Sequence, residues 1–235
     1  MKVLCTICAR GGSKGVKNKN LISLCGKPLI AHTILQAKKS KLFDAITVSS
    51  DSKKILSVAK KWGADYLIDR PIAMATSTAA KLPAIQHAVS QSERLAKNKF
   101  DMIIDLDATA PLRTVDDIKK SFKLLLKNKK ASNLITGCRA RKSPYFNMVE
   151  IAKYGFVQLS KATLKKVVRR QDTPPCYDMN ASIYIWYRNA LFRNISVVSD
   201  RTLLYVMPEA RSVDIDTPLD LEFVRLLAKS RRDLK

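Results

Sequence analysis

Short apolar runs alternate with longer stretches of helical periodicity along most of the chain, and few architectures accommodate that rhythm. Residues 2–8, 45–49, 66–68 and 102–106 read as strands, and a further strand begins at 134–136. Pro28 is placed in the first turn of a helix running to about Lys39, and helices are expected over 52–62 and 78–96. Thr114-Val115-Asp116-Asp117 resembles a capping box, with Asp in place of Glu, and Thr217-Pro218 opens a last helix to about Arg231. Such repetition implies an α/β fold, a mostly parallel sheet with helices on both faces. The rhythm breaks over about 140–180, where Pro144, Gly155, Pro174 and Pro175 punctuate short alternating pieces. This stretch is expected to be an inserted, hairpin-like excursion within one domain spanning 1–235, with the sheet resuming at 182–186.

Parallel α/β sheets bind ligands beyond the carboxyl ends of their strands, so the loops that follow strands carry the chemistry. The segment from Ala9 to Asn20 directly follows the first strand and holds Arg10, Lys14 and Lys19 among Gly11, Gly12 and Gly15. Glycines let backbone N–H groups approach an anion and the cations add charge, which suits a triphosphate better than a merely solvated basic turn. The spacing matches neither a Walker A loop nor G-x-G-x-x-G. Asp214 and Asp216 lie two apart, so on extended backbone both carboxylates face one side. Alone, Asp216 reads as a helix cap. Beside a phosphate loop, the pair reads better as a site for Mg²⁺, which binds few carboxylates and bridges substrate phosphates. Asp105 and Asp107 end another strand, where contact with sugar or metal and local turn hydrogen bonds are equally good readings.

Composition narrows the class. Forty-three Lys and Arg against 20 Asp and Glu give a formal charge of +23, a field that attracts anions or simply solvates outer helix faces. A nucleic-acid-binding module would interleave aromatics with basic residues, but aromatics make up 7% and none lies in the basic loop. Five dispersed cysteines suggest a reducing compartment, and Cys5 and Cys8, three apart on a strand, face opposite ways and cannot easily share a metal. No signal-peptide pattern or membrane-length apolar run is present in the sequence, so a soluble, cytoplasmic protein is expected.

Taken in order, Ala9-Arg10-Gly11-Gly12-Ser13-Lys14-Gly15, Arg70-Pro71, Ala110-Pro111-Leu112-Arg113, Asn180-Ala181-Ser182-Ile183-Tyr184 and Asp214-Ile215-Asp216 resemble the acylneuraminate cytidylyltransferase family over essentially the whole chain. Residues 4–10, 105–108, 147–151 and 176–180 are most similar to the members that activate N,N′-diacetyllegionaminic acid. The resemblance implies a Rossmann-like, three-layer nucleotide-diphospho-sugar transferase fold with a dimerisation insert. It also implies transfer of CMP from CTP to the anomeric hydroxyl of a nonulosonic acid. Neuraminic, pseudaminic and Kdo sugars are the alternatives.

On matching positions, the resemblance assigns Arg10, Gly12, Ser13, Lys14, Lys19, Asn20, Arg70, Ala79 and Lys81 to the nucleotide, and Asp214 and Asp216 to Mg²⁺. Asp216, Lys19 and Arg169 would act in catalysis, although Arg169 equally suits a solvated charge run. Asp107, Tyr145, Phe146 and Asn180 would face the sugar, with Tyr145 and Phe146 reaching a neighbouring subunit of a homodimer; Phe146 could equally fill its own subdomain's core. Where neuraminate enzymes carry Gln, this chain has Asp107, an acceptor-only group expected to receive the N–H of an added N-acetyl amine.

Overall fold

The computed structural model describes residues 1–13, 15–76, 78–162, 169–193 and 196–234. β1 (Val3–Cys8) leads through the basic loop to a small ribbon, β2 (Ser23–Leu24) and β3 (Lys27–Pro28), and then to α1 (Leu29–Ser40). β4 (Ala45–Ser50), α2 (Lys53–Lys61), β5 (Tyr66–Asp69), α3 (Lys81–Ala96), β6 (Met102–Leu106), α4 (Val115–Lys127) and β7 (Asn133–Arg139) follow. The hairpin β8 (Val149–Ile151) and β9 (Val157–Leu159) precedes β10 (Tyr177–Tyr187), α5 (Arg188–Arg193), β11 (Thr202–Val206) and α6 (Pro218–Lys229). Seven strands share one sheet in the order β11-β7-β10-β6-β1-β4-β5. Among them β10 alone runs against its neighbours, pairing antiparallel with β6 and β7.

Strand periodicity sorts the core onto two faces. Val3, Cys5 and Ile7 of β1 and Met102, Ile104 and Leu106 of β6 bury themselves with α1, α2 and α4. Leu4, Ile103, Tyr184 and Trp186 point the other way, against α3 and α5. This is the three-layer Rossmann-like arrangement, and it separates Cys5 from Cys8 as strand geometry requires. Cutting the fully buried Ile104 back to Ala would cost about 2–5 kcal/mol. A third cluster, Val16, Leu24, Leu112, Ile215 and Val224 among others, ties the basic loop to α6.

The helix starts are chemically specified. Thr114 and Asp117 exchange side-chain and backbone hydrogen bonds in a full capping box, and Thr217 and Asp220 do the same. Asp therefore substitutes for Glu at the third helical position without loss of the motif. Two expected boundaries shift. Pro28 is not in the first turn of α1: it is extended, pairs with Ser23 in the β2–β3 ribbon, and precedes the helix. The helix expected from 78 begins at Lys81, because Ala80 is extended. α5, β11 and the early half of β10 had no counterpart in the sequence reading; β10 carries a register shift with Ala181 at φ 50°, which interrupts its alternation.

Candidate active site

A cavity of about 350 Å³ opens at the carboxyl ends of β1, β5 and β6, lined by described residues of the basic loop, by Arg70, Thr76, Ala79 and Lys81, and by Asp214 and Asp216. The loop after β1 is held at both ends. Ala9 N donates to Ser49 O (3.0 Å), Gly11 N to Asp51 Oδ1 (2.8 Å) and Arg10 Nη1 to Thr76 O (2.9 Å). Asn18 sits in the left-handed region at φ 52°, which turns the chain so that Lys19 and Asn20 face the cavity. Asn20 Nδ2 donates to Arg10 O (2.9 Å), while its buried Oδ1 has no partner among the described residues.

The late acidic segment comes to meet this loop. Ile215 is fully buried and its N–H donates to Thr109 O (3.0 Å), which leaves Asp214 and Asp216 on the cavity side of an extended stretch. Lys19 Nζ lies 3.0 Å from Asp216 Oδ1 and also donates to Ile215 O. Gly15 passes so close that a Cβ there would collide with the Asp216 carbonyl oxygen. The Asp216 side chain pairs with Lys19 rather than capping α6, since Thr217 supplies the cap. Burial, reinforced by Asp107 and Asp216, pushes the Asp214 carboxyl up to about 6, against the pull of Thr109 and Lys19.

Asp214 Oδ1 is buried without a hydrogen-bond partner among the described residues. Among those residues no three His, Cys, Asp or Glu converge to hold a metal by themselves. The orphaned Asp214 Oδ1 is an oxygen donor of the kind a hard cation takes, with any further oxygens coming from Asp216, phosphate and water.

Elsewhere on the cavity lining Arg70, nearly buried, donates to Ser49 Oγ (3.1 Å) and Ser49 O (2.6 Å). Lys81 Nζ lies 3.1 Å from Asp105 and 2.7 Å from Asp107. Burial opposes the Lys81 charge, but the two carboxylates outweigh it and raise its pKa. Burial likewise opposes the Asp107 charge, and Lys81 with Thr109 hold that carboxyl well below the usual range. Arg113, fully buried, donates to Asp107 O (2.6 Å), Thr33 Oγ1 (2.6 Å) and Ser182 O (2.8 Å). Burial brings its pKa down to about 10, still far above neutrality, so it stays charged. Cys8, on the cavity wall, has its thiol pushed up to about 12 by burial and then by Asp105, which leaves it unreactive.

Arg10, Ser13, Lys19, Asn20, Arg70, Ala79, Lys81, Asp107, Asp214 and Asp216 thus line one space. Gly12 stands beside it with open room around its Cα, and Lys14 lies outside the described residues. The remaining expected residues are elsewhere. Arg169 is exposed and pairs with Asp172 (3.0 Å). Tyr145 stacks under Lys161 and Phe146 is 37% exposed, both on the excursion. Asn180 is buried, bonded to Thr136 Oγ1 (2.6 Å) and Ser212 Oγ (3.0 Å). Sequence reasoning gave no separate role to Arg113 or Thr109; the Arg in Ala110-Pro111-Leu112-Arg113, directly before a helix cap, was the available signal for the first.

The chain is similar to known proteins along nearly its whole length. A family model described as Cytidylyltransferase matches residues 4–234. Post-translational flagellin modification protein B of Campylobacter coli is 46% identical over 230 residues, covering 98% of this chain and 96% of that protein. CMP-N,N′-diacetyllegionaminic acid synthase of Campylobacter jejuni is 47% identical over 226 residues, covering 96% and 94%. Among solved structures, a CMP:2-keto-3-deoxy-manno-octonic acid synthetase complexed with CTP superimposes with a TM-score of 0.67 at 17% identity, covering 97% of this chain and 99% of that one, a likeness of fold.

Proposed function

The chain belongs to the cytidylyltransferase family, and from that premise we propose that it transfers CMP from CTP to the anomeric hydroxyl of a nonulosonic acid, N,N′-diacetyllegionaminic acid in the first instance, releasing pyrophosphate. One observation carries the reading: the amino-terminal cationic loop and the late acidic pair close on each other across a common cavity, through Lys19 and Asp216.

The anomeric oxygen attacks the α-phosphorus, a P–O bond to the sugar forms, and the bond to the departing pyrophosphate breaks. Such reactions ask for position and charge neutralisation more than covalent chemistry. Arg10, Lys19 and the glycine-rich backbone hold the triphosphate; Asn20, Arg70 and Ala79 enclose the nucleoside. Asp214 and Asp216 would hold Mg²⁺, which would supply neutralisation of phosphate charge. Asp216, the more exposed of the two, orients the attacking hydroxyl and receives its proton.

The protein is proposed to act as a homodimer. On the β8–β9 hairpin Ile151, Tyr154, Phe156 and Val157 are between 67% and 86% exposed, an apolar surface that a second copy would cover. Tyr145, Phe146 and Arg169 are proposed to reach the neighbouring subunit's sugar site from this excursion. No described helix is long and apolar enough to cross a membrane, and a cytoplasmic location without a nucleic-acid partner completes the reading. The deciding assay is pyrophosphate release from CTP with Mg²⁺ across legionaminic, pseudaminic, neuraminic and Kdo acids. Turnover with legionaminic acid foremost is expected; inactivity with all four would overturn the proposal.

A further inference from the structure

The parallel strands start at the edge of the sheet opposite the cavity, and α1, α2 and α4 end there, each returning the chain to the next strand. Backbone hydrogen bonds knit these connections together: Asp44 N donates to Val3 O (2.9 Å), Asp65 N to Ile46 O (2.8 Å) and Ser132 N to Arg201 O (2.9 Å). Segments 38–44, 60–65 and 127–132 hold eight lysines against two acids. The α1 and α2 ends are contiguous, since Lys38 Nζ lies where a Cβ on Gly63 would point. At the α4 end an open groove of about 1100 Å³ is lined by Lys127, Lys129, Lys130 and Arg201, with Asp200 as its one described acid.

The two acids of these segments are engaged by backbone. Asp44 Oδ2 accepts from Val3 N (2.7 Å) and Asp65 Oδ2 from Ile46 N (2.7 Å), so both carboxylates serve strand starts. Lys41, Lys60, Lys61, Lys127, Lys129 and Lys130 are exposed, and none is ion-paired among the described residues. A cation in the last turn of a helix answers the negative end of its dipole, which accounts for Lys60, Lys61 and Lys127. Lys41, Lys129 and Lys130 lie past the last residues of their helices. Like charges gathered this way repel one another until an outside anion relieves them.

We infer that this edge is a docking surface for an anionic bilayer, onto which the protein adsorbs through lipid phosphates. Charge and shape choose the occupant. Helices that finish at one edge of a sheet spread their lysines over a broad face, which suits a flat surface better than the narrow stripe a nucleic-acid duplex would touch. The aromatics of the same connections, Phe43 and Trp62, pack against the core, so they serve neither to stack on bases nor to insert among acyl chains. Beside an anionic membrane each lysine gains about fivefold in partitioning. Adsorption by charge alone is reversible and screened by salt. With this edge against the bilayer, the cavity at the opposite edge faces solution. The inference stands independently of the reaction that the cavity performs.

The test is flotation of the intact chain with vesicles of phosphatidylglycerol and phosphatidylcholine mixed about one to two, and with phosphatidylcholine alone. Wild type should float with the anionic vesicles at low salt, and neither with the neutral ones nor at about 0.5 M salt. Lys127→Gln with Lys129→Gln and Lys130→Gln should weaken partitioning by about 100-fold. A charge-matched control, Lys54→Gln with Lys119→Gln and Lys120→Gln, alters the opposite ends of α2 and α4. It should float as wild type does. Pyrophosphate release in solution should be the same for all three proteins, since none of these residues lines the cavity, and melting temperatures should agree within a few degrees. Failure of wild type to float with the anionic vesicles overturns the inference. So does an equal loss in both triple variants, which would reduce the effect to net charge. Binding to a duplex oligonucleotide without binding to vesicles also overturns it and gives the edge to nucleic acid.

Discussion

Lys19 Nζ and Asp216 Oδ1 lie 3.0 Å apart although 197 positions separate them in the chain. The lysine is largely sheltered, with 14% of its side chain exposed, whereas the aspartate is 75% exposed. An exposed carboxylate contributes little to stability through such a pair. In the proposed function its value lies in orienting two charges toward one ligand.

Replacing either residue should therefore separate function from folding. Lys19→Met and Asp216→Asn are each expected to lower kcat/KM for CTP by about 10²–10³, the effect of deleting one positioned charge or donor. Melting temperatures should stay within a few degrees of wild type. Steady-state pyrophosphate release with a thermal melt of the same samples checks both; a collapse of the melt would make the pair structural.

The two exposed glycines of the loop should behave oppositely. Gly15→Ala drives a methyl into the Asp216 carbonyl oxygen and requires backbone to shift, so about 1–3 kcal/mol of stability should go. Gly12→Ala meets nothing within 4 Å, and its melting temperature should match wild type. Urea titrations of both variants read the difference.

Asp117 contributes to the acid dependence of stability through its pairing with Arg211. Arg211 donates from Nε and Nη2 to its two oxygens, each at 2.9 Å, while Thr114 donates to the same carboxylate at the α4 cap. Burial works against the charge, and these donors outweigh it, so the folded pKa lies below the model-peptide 3.8. A depressed carboxyl gives stability that is present above about pH 4 and is lost as pH falls through the folded value. Asp117→Asn should cost about 1.5–3 kcal/mol at neutral pH and less as the pH drops below 4, flattening the acid limb. Denaturant titrations from pH 3 to pH 7 measure it.

Charging the hairpin should dissolve the proposed dimer. Ile151→Lys with Phe156→Lys adds two like charges to side chains that are 81% and 73% exposed. Light scattering should report the monomer mass, with the far-ultraviolet spectrum unchanged. A wild type that is already monomeric at micromolar concentration would remove the basis for the interface.

Much of this was readable from the chain because the relevant signals are local. Period-two burial fixes β1, β6 and the late part of β10, and threonine–aspartate spacing fixes the starts of α4 and α6. The ligand edge followed from strand polarity, so Arg10, Lys19, Asp214 and Asp216 could be placed together before any coordinates. What escaped depends on contacts distant in sequence. Lys81 and Asp107 are 26 residues apart, and nothing in either segment announces that one carboxylate is already engaged by the other's ammonium. Arg113 reads as an ordinary cation until β10 and α1 enclose it. Ala181 at positive φ breaks the alternation by which the rest of β10 would have been recognised.

Ile215, driven into the core between two aspartates, gives the acidic pair unequal exposure. Asp214 is half-buried, with one carboxylate oxygen shut off from solvent, whereas Asp216 is washed by solvent and paired with Lys19. A cation held by this pair would meet one oxygen shut off from water and one that water reaches, so the two carboxylates would differ in how readily solvent competes for it.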